Sequence, residues 1–111
     1  MPRPLVVFVD VDDTLVRHLG GKQIPVPGVI RHVRDLHESG ATLYCWSTGG
    51  AQYARAMAGL VGLEACFTAF LPKPNVLLDD QAVRDWRQCV EVTPSETSVR
   101  APGDYDDLLG R

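Results

Sequence analysis

The sequence predicts an α/β domain of three layers, a parallel sheet with helices on both faces. Apolar, β-prone runs alternate along the chain with segments whose apolar residues recur at helical spacing. The first run is unbroken, as expected of a parallel strand buried on both faces. Three run ends carry an acid or a hydroxyl, at Asp10, Ser47 and Asp79. In open parallel sheets ligands bind beyond those carboxyl ends.

Pro4 to Asp10, with Leu5, Val6, Val7, Phe8 and Val9 in succession, reads as the first, central strand. Pro25, Pro27 and Gly28 open a helix on which Val29, Val33 and Leu36 share a face, and Gly40 stops it. Ala41 to Trp46 is a second strand, ending in the turn Ser47, Thr48, Gly49, Gly50. A second helix follows from Ala51, with Tyr53, Met57, Leu60 and Val61 at helical intervals. Cys66 to Leu71 reads as a third strand, Val76 to Leu78 as a fourth ending in Asp79 and Asp80, and Cys89 to Val92 as an edge strand. From Pro94 the composition predicts a loop or loosely docked tail, with at most a short helix at Tyr105 to Leu109. Right-handed crossovers complete a Rossmann-like sheet.

At 111 residues the chain fits one domain, with a core over residues 4–93 and a tail over 94–111. A net charge of -3 gives no basic footprint for nucleic acid or anionic lipid. The apolar run at Leu5 to Val9 is far shorter than the roughly 20 residues of a membrane span. No cleavage site follows it, so a cytoplasmic protein is expected. Cys45, Cys66 and Cys89 are odd in number and widely spaced, which predicts free thiols.

Asp10, Asp12, Asp13 and Thr14 put three carboxylates within four residues at the mouth of a buried strand. Such crowding costs stability unless a cation balances it. An Asp-rich turn that caps the next segment would explain part of the pattern. It would not explain the second acid pair, Asp79 and Asp80, whose oxygens suit magnesium. Ser47, with Thr48, Gly49 and Gly50 leading into a helix, offers a hydroxyl and free N–H groups to a phosphate oxygen. His18, His32 and His37 do not converge and read as structural or solvated, and Trp46 and Trp86 read as packing.

Together these motifs resemble the haloacid dehalogenase-like superfamily of aspartate-nucleophile phosphatases and phosphotransferases. Val6 to Thr14 is similar to its first motif, Leu43 to Ser47 to its second, and Val76 to Asp80 to its fourth. The resemblance covers residues 4–80 and implies a minimal core of that superfamily without a cap, since Leu15 to Val26 is too short to hold one. It implies a magnesium-dependent phosphohydrolase acting on phosphomonoesters. Asp10 would be the nucleophile, Asp12 the general acid and base, and Ser47, Thr48 and Gly49 the phosphate contacts. Asp10, the backbone carbonyl of Asp12 and Asp79 would hold the metal, with Asp80 reaching it through water.

The family's cation falls on Lys73 of Leu-Pro-Lys-Pro. A regular strand over Asn75 to Asp79, at ~3.3 Å per residue, would start Lys73 ~20 Å behind Asp79, at the wrong end of the sheet. A bend at Pro72 and Pro74 would have to bring it forward, or Lys22 or Arg84 would substitute. An open site fits a macromolecular phosphate, or a small substrate enclosed by a partner subunit in a homo-oligomer. Two other readings differ in class. A non-catalytic phosphate- or protein-binding module would keep the fold, and a receiver-type phospho-acceptor domain would place its acceptor on the third strand.

Overall fold

The computed structural model describes residues 3–111. Its elements run β1 (Val6–Asp10), β2 (Val16–Leu19), β3 (Lys22–Pro25), α1 (Pro27–Glu38), β4 (Thr42–Ser47), α2 (Ala51–Leu60), β5 (Ala69–Pro72) and α3 (Pro102–Leu109). β1, β4 and β5 form a parallel sheet in that order, and β2 and β3 an antiparallel hairpin. The hairpin falls within Leu15 to Val26, the stretch too short to hold a cap, for which no strand is expected. Gly20 and Gly21 form its two-residue turn with φ of 57° and 77°, the positive pair that tight hairpin turns demand and glycine supplies without strain.

Pro27 starts α1 with its φ already helical, and the helix buries Val29, Ile30, His32, Val33 and Leu36. These side chains join Val9, Leu43, Cys45, Ala54, Ala58 and Leu63 in one apolar cluster. The sheet faces that cluster with one side only. Along β4 the buried residues are Leu43, Cys45 and Ser47, while the alternate positions are half-buried, and Val6 and Phe8 of β1 are exposed. The strand order explains this, because it advances in one direction from β1. Right-handed crossovers in a single direction put both helices on the same face.

The strands that would reverse that direction do not form among the described residues, so the sheet has three strands and helices on one face. Val76 and Leu78 are 80% and 99% exposed, in chain without regular secondary structure. Cys89 to Val92 also lacks strand structure. An apolar run has β propensity only in so far as a neighbour accepts its side chains, and here nothing covers them. The third strand is shorter than expected, because Glu64–Cys66 make a turn of 3-10 helix before it.

The carboxyl-terminal stretch is more ordered than a loose tail. Thr93 opens a 3-10 helix over Pro94–Val99 with a capping box to Glu96, and α3 begins three residues earlier than the short helix expected. Tyr105 is buried, and its hydroxyl lies 2.6 Å from Nε2 of the buried His32. Cys45 is buried, Cys66 half-buried and Cys89 exposed, and all three are free. No helix among the described residues is long and apolar enough to cross a membrane.

Two outcomes follow for stability. Tyr105→Phe leaves the His32 nitrogen without its partner and should cost about 1–3 kcal/mol in urea unfolding, whereas Leu78→Ser should change stability by less than about 0.5 kcal/mol. Burial also holds the His32 imidazole below its ordinary pKa, against the opposing pull of Asp35. The unfolded chain therefore takes up this proton first as pH falls. The stabilising contribution is complete above about pH 6.5 and is lost below it, and His32→Gln should flatten that part of the curve.

Candidate active site

Parallel register brings three strand ends to one level. Asp10 pairs with Trp46, Trp46 with Leu71, and Ser47 with Pro72. The chain leaves β5 still tied to β4, because the Lys73 N–H donates to the Ser47 carbonyl at 2.9 Å. From there the Lys73 ammonium reaches Asp10, with Nζ 3.1 Å from Oδ1. The sequence-based distance for Lys73 assumes a fourth strand, and that strand does not form. Measured from β5, the residue stands at the carboxyl end of the sheet, and neither Lys22 nor Arg84 takes its place on Asp10.

The turn after β1 is tight. The Val11 carbonyl accepts from the N–H groups of Thr14, Leu15 and Val16. Asp13 has φ of 60°, a left-handed conformation that Asp tolerates better than most residues. Its N–H donates to the Val16 carbonyl within this turn and its carboxylate is exposed, which separates it from Asp10 and Asp12. The Thr14 hydroxyl donates to Asp10 Oδ2 at 3.2 Å, so each Asp10 oxygen has one donor.

Asp12 is held from two sides. Its Oδ1 accepts from the Tyr53 hydroxyl at 2.6 Å and lies 2.7 Å from His18 Nε2. The Tyr53 and His18 groups are themselves 3.2 Å apart. Tyr53 stands in the first turn of α2 and His18 on the hairpin, so this cluster ties helix, hairpin and β1 turn together. The Tyr53 hydrogen bond, with those of His18, pulls the Asp12 carboxyl below its ordinary pKa against the effect of burial. The same bond pushes the Tyr53 phenol up to about 12.

Ser47 is 1% exposed, and its Oγ accepts the Gly49 N–H at 3.0 Å. Thr48 and Gly49 are exposed in the turn above it. A Cβ on Gly49 would come within 2.8 Å of the Tyr53 ring, so glycine here keeps the turn closed over the ring that positions Asp12.

Asp79 and Asp80 do not join this group. Both are exposed, and Asp79 Oδ1 instead accepts the Gln81 N–H. Among the described residues no three of His, Cys, Asp and Glu converge on a common point. Asp10 still offers one of the one or two carboxylates that magnesium takes when a substrate phosphate supplies further oxygens, beside the backbone carbonyl of Asp12. No family model, curated protein or solved structure matches the chain.

Tyr53 and His18 are the residues that sequence reasoning missed. Tyr53 fits the apolar stripe of its helix, and its partner lies 41 positions away. The usable signal is positional, since a Tyr in the first turn of a helix that follows a strand end faces the ligand side of the sheet. Removing the charge it serves should release it. In Asp12→Asn the Tyr53 phenol should titrate nearer the ordinary value of about 10, read from tyrosinate absorbance, and unchanged titration would show that the pair is not formed.

Proposed function

We propose that this chain is a magnesium-dependent phosphohydrolase that acts on phosphomonoesters through an aspartyl-phosphate on Asp10, on a cap-less core like that of the haloacid dehalogenase-like superfamily. The observation that carries the reading is the Lys73 ammonium 3.1 Å from the Asp10 carboxylate. A fixed cation there holds the nucleophile in place and offsets the charge of an arriving phosphate. Receiver-type chemistry is disfavoured, because the acid nearest the lysine stands on the first strand.

In the first step an Asp10 oxygen attacks phosphorus, the ester P–O bond breaks, and the leaving alkoxide takes a proton from Asp12. In the second, Asp12 takes a proton from water, the water oxygen bonds to phosphorus, and the bond to Asp10 breaks to release inorganic phosphate. The donors on Asp12 favour its ionised state, which suits the second step. On this reading Ser47, Thr48 and Gly49 would contact the phosphoryl oxygens, the Gly49 N–H exchanging its bond to Ser47 Oγ for one to phosphate. Bound magnesium would lower the repulsion between Asp10 and phosphate and balance charge in the transition state. A second reading, a non-catalytic phosphate-binding module, is favoured only by the distance of Asp79 and Asp80 from this group.

A panel of phosphomonoesters assayed with magnesium and then with chelator tests the reading. Turnover should require the metal and fall to background in Asp10→Asn. Lys73→Ala should lose about a hundredfold to a thousandfold. Phosphate binding without turnover across the panel would favour the non-catalytic module. Magnesium at roughly a hundred times its Kd should stabilise the protein by about 2.7 kcal/mol. That gain should vanish in Asp10→Asn and persist in Asp79→Asn.

A further inference from the structure

The strand alternation that puts Asp10 at the site also decides what surrounds it. Val6, Phe8 and Asp10 project to one face of β1, and their register partners put Tyr44 and Trp46 of β4 and Leu71 of β5 on that same face. This is the side that α1 and α2 leave open. Phe8 is 46% exposed despite its size. It stands between Tyr44, at 5.1 Å between ring centroids, and Trp46, at 4.8 Å and edge-on. The Lys73 ammonium that pairs with Asp10 also lies 5.8 Å from the centre of the Trp46 ring. An aromatic surface therefore runs without interruption from open solvent to the charged pair.

We propose that this aromatic face is a binding subsite for the ring of an aryl phosphomonoester, seated with its phosphoryl group at Asp10 and Lys73. The assignment rests on the phosphate site proposed above and names the substrate class for it. Aromatic rings prefer edge-on or offset contacts with other rings, at centroid separations that the Phe8 and Trp46 pair already shows. A ring placed against them gains contact area without displacing a side chain, and the ligand's phosphoryl anion meets the cation beside Trp46. An alkyl phosphate of equal charge lacks the first of these contacts. The sequence reading of Trp46 as a packing residue accounts for neither its half-exposure nor its place beside Lys73.

Phosphonates, which carry no cleavable ester bond, separate binding from turnover. In millimolar magnesium, phenylphosphonate should bind about tenfold tighter than methylphosphonate by calorimetry, the difference that about 1.4 kcal/mol of ring contact supplies. Trp46→Leu, which keeps an apolar strand residue, should remove that preference, and Trp46→Phe should restore most of it. Phe8→Leu should reduce it independently, with circular dichroism confirming that each variant is folded. Equal binding of the two phosphonates, both weakened by Lys73→Ala, would overturn the aryl subsite and leave the phosphate site standing. Binding of neither would overturn both. If Trp46→Leu changed the oligomeric state and left the preference intact, the face would be an interface between copies, and the subsite would fall.

Discussion

Parallel register among three short strands is the constraint on which the candidate site depends. Asp10, Ser47 and Lys73 are far apart in sequence, yet each sits at or just past a strand end. Pairing of β1 with β4 and of β4 with β5 sets those ends level. One backbone hydrogen bond then extends the alignment beyond the sheet, from the Lys73 N–H to the Ser47 carbonyl. Without it the proline-flanked lysine would have no fixed origin from which to reach Asp10. The side-chain contacts at the site are short because the backbone beneath them is aligned.

The same topology explains what is missing. A strand order that advances only one way builds a single helical layer, so one face of the sheet is packed and the other is open. The packed face takes Val9, Leu43 and Cys45 into the core. On the open face Phe8, Tyr44 and Trp46 lie side by side at the end where the charged groups gather. Core and site are thus two consequences of one alternation along β1 and β4. The tail contributes separately, through Tyr105 and the buried His32.

Much of this was legible in the residues. The unbroken run to Asp10, the run from Leu43 to Ser47 and the helix opened by Pro27 are local signals, and local signals survive folding. The hairpin at Gly20 and Gly21 is equally local, but its strands show no clean apolar alternation, and only Val16 among them is buried. Val76 to Leu78 misled for the opposite reason. Its composition suits a strand, but strand formation is decided by neighbours, and that one error displaced Lys73 in the sequence-based geometry and drew Asp79 and Asp80 towards the site. The clamp of Tyr53 and His18 on Asp12 exists only after α2 and the hairpin have docked, so no spacing announces it.

Under the proposed function Asp10 would carry the reactive carboxylate and Asp12, held by Tyr53 and His18, would make the proton transfers on either side of the intermediate. These two roles separate when the Asp12→Asn protein is incubated with magnesium and an activated phosphomonoester, whose leaving group needs little protonation. Intact mass and peptide mapping should then show one phosphoryl group retained on Asp10, because the step that needs a base is slowed and the step that needs a nucleophile is not. A phosphoryl group on another residue, or an unmodified Asp10 in a variant that still turns the ester over, would contradict the account.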